Sequence, residues 1–230
     1  MTRPRYKEES TIRAFLKKRA LQKGKRKKDG KPVQAVAPYM FFFHCLEDQE
    51  RSIKKILSII KSAEKGKQSA AAAYAAKPKM STDFAEIADE MRLESEAVEH
   101  ESSQEIFAGT LFVIFNSLLM SMSSRVKMRG GSDAPKVAGR QIGKTSLLEL
   151  IRAASNNFRH YEEWNKKLKE DKRMAQTIAV LKAAGIKGPY NRNVCAEVFD
   201  LIGWKSVKKM TREIRKLASE IFQAQTGIPL

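Results

Sequence analysis

The apolar residues of this chain recur at intervals of three and four, and this spacing constrains the fold more than any other feature. It runs through the segments near 44–66, 103–125 and 206–224, and through shorter segments that end at Gly185 and Gly203. At about 100° per residue, such positions share one side of an α-helix. No segment shows the period of two that marks a half-buried strand. The sequence therefore predicts an all-α fold, a multi-helix bundle of six to eight helices.

Positive charge is concentrated at the N-terminus of the 230-residue chain, whose formal net charge is +18. Residues 1–31 hold thirteen Lys and Arg against three acidic residues, and the run Lys23–Lys31 has no apolar side chain. Such a run has no apolar surface whose burial would offset the entropy of ordering it. We therefore expect a basic flexible N-terminal arm over residues 1–38 and a helical bundle domain over 39–230.

Two roles fit this basic arm equally well. It can neutralise the phosphates of a nucleic acid, or it can serve as a solubilising tail. For the first role the candidate contacts are Lys25, Arg26, Lys27 and Lys28. A short helix near residues 10–22 would place Ile12, Phe15 and Leu16 on one side.

An acidic segment follows in the middle of the chain. Residues 81–105 carry nine acidic residues and one base, Arg92, and several apolar residues at helical spacing. We expect an acidic helix here that packs against the basic arm of its own chain or of a partner. A separate core helix is expected at about 103–125.

The remaining composition favours a reduced, cytoplasmic setting. Cys45 and Cys195 are isolated thiols, so neither a disulfide framework nor a metal site is expected, and no cofactor motif is present. The most apolar run, Ile106–Met122, is shorter than the roughly 20 residues that span a membrane. We interpret it as a buried core helix, and we expect no membrane association.

Residues 138–145 fit a permissive phosphate-loop pattern, Ala-Gly-Arg-Gln-Ile-Gly-Lys-Thr. A true phosphate loop follows a buried strand, whereas residues 128–136 look like a loop, so the pattern does not indicate a nucleotide hydrolase. We still expect Lys144, with the free N–H groups of the helix that starts here, to attract a phosphate. Arg140 and Lys144 are therefore candidate nucleic-acid contacts, together with Lys166 and Lys167.

A helix expected at about 145–170 combines an apolar face with a polar stripe of mixed chemistry. On a helical wheel the stripe spans about 100°. Its members are Arg152, Asn156, Arg159 and His160. Guanidinium groups match phosphate, an amide can hold a hydroxyl group, and imidazole can move a proton near neutral pH. Metal-independent cleavage of RNA needs these functions, so the four residues are the candidate catalytic set.

A solvated helix face is the simpler interpretation of the same stripe. Mixed charge opposite an apolar side is ordinary, and Glu163 would then neutralise the two arginines. Trp164 lies between the two faces and is expected to pack. Because the stripe holds one histidine, an active site would need a second chain to bring its own copy across a two-fold axis.

The segment Asn157-Phe-Arg-His160-Tyr-Glu-Glu-Trp164, which follows a run rich in Leu, Ile and Ala, resembles the signature region of the HEPN superfamily. The resemblance implies an all-α domain that commonly dimerises. It also implies metal-independent ribonuclease activity, as in toxin–antitoxin, CRISPR and anti-phage systems. The family motif places four to six residues between Arg and His, whereas seven separate Arg152 from His160 and Ala153 follows the Arg.

These observations predict a metal-independent endoribonuclease or toxin-type effector of a defence or toxin–antitoxin system. Its partners would be RNA, a second copy of the chain and a cognate antitoxin. The alternative is a non-catalytic basic helical module that binds nucleic acid or a partner protein. A third possibility is a structural protein of a phage or mobile element. Of these, only an enzyme requires His160.

Overall fold

Helices account for nearly all regular structure in the computed structural model, which describes residues 31–76, 84–165, 172–189 and 192–229. Within these ranges the α-helices are α1 (Lys31–Asp48), α2 (Glu50–Ala75), α3 (Phe84–Met128), α4 (Leu147–His160), α5 (Lys172–Ala184), α6 (Cys195–Ile202) and α7 (Val207–Thr226). A 3-10 helix, Tyr161–Asn165, follows α4. The only strands in the described ranges are β1 (Gln141–Ile142) and β2 (Thr145–Ser146), paired antiparallel with Gln141 opposite Ser146. The predicted all-α bundle is confirmed.

Several expectations concern residues outside the described ranges. They include the conformation of the basic arm up to residue 30 and the candidate contacts Lys25, Arg26, Lys27, Lys28, Lys166 and Lys167. Residues 31–38, the remainder of the expected arm, are helical, and Ala35 and Val36 are buried in the core.

Helices α1 and α2 follow each other almost without a break. Gln49 separates them, yet its N–H donates to the carbonyl of Cys45 and its carbonyl accepts from Ile53 at helical spacing. Pro38 lies inside α1 without ending it. The segment of helical spacing was predicted to end near residue 66, at Gly66. This prediction is wrong, because α2 continues through the alanine-rich segment to Ala75.

Helices α1 and α2 run antiparallel to α3 along most of its length. The pairs Lys67–Glu101 and Phe41–Arg125 mark one continuous alignment, with a salt bridge of 2.7 Å at the first and a cation–π contact at the second. Gly66 lets the two helices approach closely, since a Cβ placed there would lie 2.4 Å from His100 Nε2. The outcome is a long helical hairpin whose closed end lies between α2 and the start of α3.

Helix α3 is a single element of 45 residues. The expected division into an acidic helix and a core helix near residues 103–105 is therefore wrong. Ser102 and Ser103 are weak helix formers, but neither glycine nor proline interrupts the helix there. The change from acidic to apolar composition marks the place where α3 passes from solvent into the core. It does not mark a boundary between two helices.

The core forms where the C-terminal half of α3 meets α4, α6 and α7. Trp204 is buried at its centre, with ring centroids 5.4 Å from Phe115, 5.9 Å from Phe112 and 6.1 Å from Phe199. Tyr39 of α1 stacks on Phe222 of α7 at 4.6 Å and closes the other side. Such aromatic pairs add about 0.5–1.5 kcal/mol each beyond the burial of their area.

Candidate functional site

The polar stripe lies on α4, and a capping box sets where this helix begins. The Ser146 hydroxyl accepts a hydrogen bond from the Glu149 N–H, and the Glu149 carboxylate accepts one from the Ser146 N–H at 2.9 Å. This reciprocal pair satisfies two N–H groups at the start of the helix. Leu147, Leu150 and Ile151 are buried, so the opposite side of α4 carries the stripe.

Arg152 is a half-buried residue that contacts a neighbouring loop. Its guanidinium donates to the carbonyls of Pro135 at 3.5 Å and Lys136 at 3.4 Å, and Nη2 lies 3.5 Å from the Met120 sulfur of α3. Among the described residues, Nε has no hydrogen-bond partner although it is buried. Burial lowers the pKa of Arg152, and the charge of Glu149 opposes that shift. Arg152 thus joins α4 to α3 and to the loop after it.

Asn156 extends in a different direction from Arg152. Its Nδ2 lies 3.5 Å from the hydroxyl of Thr177 on α5. The next residue, Asn157, is completely buried; its side chain donates to the Arg192 carbonyl at 3.1 Å and accepts from the Val194 N–H at 3.0 Å. The first two members of the stripe therefore support the packing of α4 on its neighbours.

Helix α4 ends at His160, so the expectation of a helix that continues to about residue 170 is wrong. The chain continues as a 3-10 helix, in which side chains three residues apart eclipse each other. His160 and Glu163 are such a pair, with Nδ1 3.3 Å from Oε2. An ideal α-helix would place Glu163 beside the arginines; the change of helix type places it against the imidazole.

The four stripe residues do not converge within one chain. Arg152 and His160 are about 12 Å apart along the helix axis at 1.5 Å per residue. Arg159 is exposed, and the His160 side chain keeps 51% of its accessible surface. The structure pairs His160 with Glu163 at the end of α4, leaves Arg159 exposed beside them in the sequence, and keeps Arg152 and Asn156 apart. Trp164 is buried, which confirms its expected packing role.

The segment 138–145 forms a tight hairpin instead of a phosphate loop. The expectation of free N–H groups at the start of α4 is wrong, because Leu147 donates to the Arg140 carbonyl and Leu148 to the Ala138 carbonyl. The N–H of Lys144 donates to the Ala183 carbonyl of α5 at 2.8 Å. These bonds leave no cradle of N–H groups for a phosphate.

The two candidate nucleic-acid contacts near this hairpin differ in their surroundings. Arg140 donates to the Ile202 carbonyl at the end of α6, and its Nε lies 3.5 Å from Glu213 of α7. Its guanidinium therefore ties the hairpin to the core. Lys144 is exposed at the turn of the hairpin and its ammonium group stays accessible to solvent.

A basic surface on α2 was missed by the sequence analysis. We call it the α2 cationic stripe, and it consists of Arg51, Lys54, Lys61 and Lys65. All four residues are exposed, lie within about 80° on a helical wheel, and have no hydrogen bond or ion pair in the described part of the chain. The periodic signal was present in the sequence, since these positions fill the face opposite the apolar one.

The α2 cationic stripe borders a groove of about 470 Å³ between α2 and the junction of α6 and α7. Leu57, Phe199 and Trp204 form part of its apolar floor, and Lys205 lies across from the stripe. Asp200 also lines the groove; burial and the nearby charge of Glu64 raise its pKa, while Lys67 lowers it. The groove is an apolar cleft whose rims carry Lys61, Lys65 and Lys205 together with the carboxylates of Glu64 and Asp200.

No group of three or more His, Cys, Asp or Glu side chains in the described ranges could hold a metal ion. Helix α3 is long and apolar enough, by length and composition, to cross a membrane, and 44% of its most apolar window is buried in the protein. Within that helix Phe112, Phe115 and Leu119 have no exposed surface, which is typical of residues in a protein core. The absence of membrane association stays a prediction.

Comparison with models of known protein families, with curated proteins and with solved structures found no match for this chain. The resemblance to HEPN proteins therefore stays a resemblance of one short segment. The fold and the surface together define an all-α basic protein with two candidate regions, the α2 cationic stripe and the end of α4.

Proposed function

We propose that the protein binds nucleic acid through phosphate contacts made by its cationic helical surfaces. The observation that carries this proposal is the α2 cationic stripe, whose four side chains are exposed and unpaired within the described residues. A net charge of +18 supplies the long-range attraction for a polyanion.

The dimensions of the stripe suit an extended phosphate backbone. Arg51 and Lys65 are about 21 Å apart at 1.5 Å per residue, so the stripe can follow several phosphates. Lys205 provides a cation on the other side of the groove. Because the stripe itself carries no aromatic side chain, it offers no platform on which bases could stack. Binding should therefore depend steeply on salt and weakly on base sequence.

Fluorescence anisotropy with labelled single-stranded and duplex RNA, measured over a range of salt concentrations, tests this proposal. In the triple variant Lys54→Ala, Lys61→Ala, Lys65→Ala we expect weaker binding. The slope of log K against log salt should become shallower by about 0.7–0.9 for each phosphate that is no longer neutralised. The matched control is Lys136→Ala, Lys187→Ala, Lys216→Ala, which removes the same charge from exposed positions elsewhere. Equal weakening in both variants, or binding that salt does not affect, would contradict a phosphate-led interface on α2.

A second candidate function is metal-independent cleavage of RNA, as in a toxin-type effector. The pairing of His160 with Glu163 favours it, because a carboxylate on Nδ1 orients the imidazole and leaves Nε2 available for proton transfer. Arg159 adjoins this pair as an exposed cation. Since Arg152 and Asn156 lie elsewhere, a complete site would need the end of α4 from a second chain.

Incubation of the purified protein with total RNA in EDTA tests this candidate. His160→Ala should reduce cleavage about 100- to 10,000-fold. Glu163→Gln should give a smaller reduction and shift the pH profile, because the amide keeps an acceptor but not the charge. RNA affinity should stay unchanged in both variants. A wild-type protein that binds RNA without cleaving it would refute catalysis and leave the binding proposal intact.

A further inference from the structure

Helix α3 carries a second apolar face that no described residue covers. Phe84, Ile87, Met91 and Val98 are 84%, 40%, 67% and 57% exposed. They lie within about 60° on a helical wheel, and we call them the α3 outer stripe. On the opposite side of the helix Leu93 is buried against α2. Two apolar faces on one helix segment indicate that this segment has a partner besides α2.

Strong negative charge surrounds the α3 outer stripe. Between residues 84 and 105 the chain holds eight acidic residues and one base, Arg92. Arg92 is already paired with Asp89 and Glu96. Glu94 and Glu99 are exposed and have no partner in the described ranges. Two copies of this stripe would repel each other, so the missing partner must be both cationic and partly apolar.

We propose that the α3 outer stripe binds the N-terminal segment, residues 1–30, of a second copy of this chain. The segment has twelve Lys and Arg against three acidic residues, which complements the charge around the stripe. It also carries Ile12, Phe15 and Leu16, three apolar residues at helical spacing. This inference does not depend on the proposed function.

A helical N-terminal segment of the same chain is too short to reach the α3 outer stripe. The Arg125 guanidinium lies 5.0 Å from the Phe41 ring centroid, and Lys31 lies about 15 Å further along α1, away from the stripe. Val98, the member of the α3 outer stripe nearest to the core, lies about 40 Å from Arg125 in the opposite direction along α3, and Met91 lies about 50 Å from it. The gap from Lys31 is therefore about 55 Å to Val98 and about 65 Å to Met91. With residues 12–22 in the helix that the sequence predicts and the following residues extended, the chain from Ile12 to Lys31 spans about 47 Å. The stripe can therefore receive this segment from another molecule.

Sedimentation velocity of the full-length protein at rising concentration, in low and in high salt, tests the proposal. We expect association that salt weakens. Glu94→Lys with Glu99→Lys should weaken it on the order of tenfold or more, and Arg13→Glu with Lys17→Glu should do the same. Combining both pairs exchanges the charges, so association should return. The matched control for the stripe is Asp48→Lys, an exposed acidic position remote from it.

A second set of variants tests the apolar part of the interface. Met91→Ser with Val98→Ser should weaken association, whereas Leu201→Ser, an exposed apolar position elsewhere, should not. A protein that stays monomeric overturns the proposal. So does association that the stripe variants leave unchanged, or a combined variant that does not recover. Circular dichroism of each variant confirms that weaker association does not reflect unfolding.

Discussion

Gly109 of α3 and Phe158 of α4 are packed so closely that a side chain at position 109 would overlap the aromatic ring. A Cβ built on Gly109 would lie 2.1 Å from Phe158 Cδ2. This contact sets the spacing of the helix that carries the candidate site against the helix that forms the core.

We expect Gly109→Ala to destabilise the protein by about 1–3 kcal/mol, because Phe158 must leave its position to make room. Urea denaturation measures this change. Gly66→Ala is the matched control in the hairpin. Both substitutions gain up to about 1 kcal/mol from the higher helix propensity of alanine. Gly66→Ala displaces the ring of His100, which lies outside the core cluster, whereas Phe158 packs against that cluster. If the two variants were equally stable, the Gly109–Phe158 contact would not limit the packing of α4.

Arg152→Ala should destabilise the fold by about 1–2 kcal/mol, since it leaves the carbonyls of Pro135 and Lys136 without a donor. Arg159→Ala should change stability by less than about 0.5 kcal/mol, because Arg159 is exposed and has no partner among the described residues. Thermal and urea unfolding of both variants give the comparison. An equal effect of the two changes would argue against the structural role of Arg152.

The stability of the fold should depend on pH through the carboxyl group of Glu105. The Glu105 carboxylate accepts a hydrogen bond from the Ala196 N–H at the start of α6 at 2.9 Å. Burial raises the pKa of Glu105 to about 7, and the N–H groups of Ala196 and Cys195 partly oppose that shift. The folded state therefore holds this proton more tightly than the unfolded state. The free energy of unfolding should fall as the pH rises from about 4.5 to about 7.

Glu105→Gln removes this ionisation and keeps an acceptor oxygen for α6. At about pH 4 the variant and the wild type should be equally stable, whereas at about pH 8 the variant should be more stable by on the order of 1–2 kcal/mol. Urea denaturation at a series of pH values measures the difference. Greater stability of the wild type at the higher pH would show that the carboxylate charge stabilises α6 more than burial penalises it.

Two N-terminal deletions should differ in their effect on the melting temperature. Deleting residues 1–30 should leave the melting temperature nearly unchanged at low protein concentration, because it keeps the buried Ala35 and Val36 of α1. Deleting residues 1–38 should lower it by several degrees, since Ala35 and Val36 leave the core. Differential scanning calorimetry of the two deletions against the full chain provides the test. A large drop in the shorter deletion would place part of residues 1–30 in the core.

Helix ends that depend on local chemistry could be predicted from the sequence. Gly203 adopts a positive φ of 71° at the end of α6, where the segment was predicted to end. Helix α7 begins at Val207, close to the predicted start at about residue 206, and Ser206 caps it. Errors arose where tertiary packing overrides local preference. Gly66 permits a close helix contact instead of a helix end, and the serines before residue 104 lie within an unbroken helix.

The candidate site was predictable in its residue types and poorly predictable in its contacts. The sequence places Arg152 and His160 on the polar side of one helix, as found. It contains no information on the carbonyls of the 135–136 loop that engage Arg152, because that contact depends on how the chain returns after α3. The α2 cationic stripe could have been predicted from the periodicity of its basic residues.

The 45-residue length of α3 makes it a lever. One end carries the outer stripe and the other holds Phe112, Phe115 and Leu119 among the aromatic rings of the core. Since no loop divides the helix, α3 has no hinge between its outer end and the core. A force on the outer end would therefore tilt or rotate the whole helix, including the part against which Phe158 of α4 packs. Lengthening or shortening α3 by a whole turn would change the lever arm, whereas a partial turn would also rotate the load.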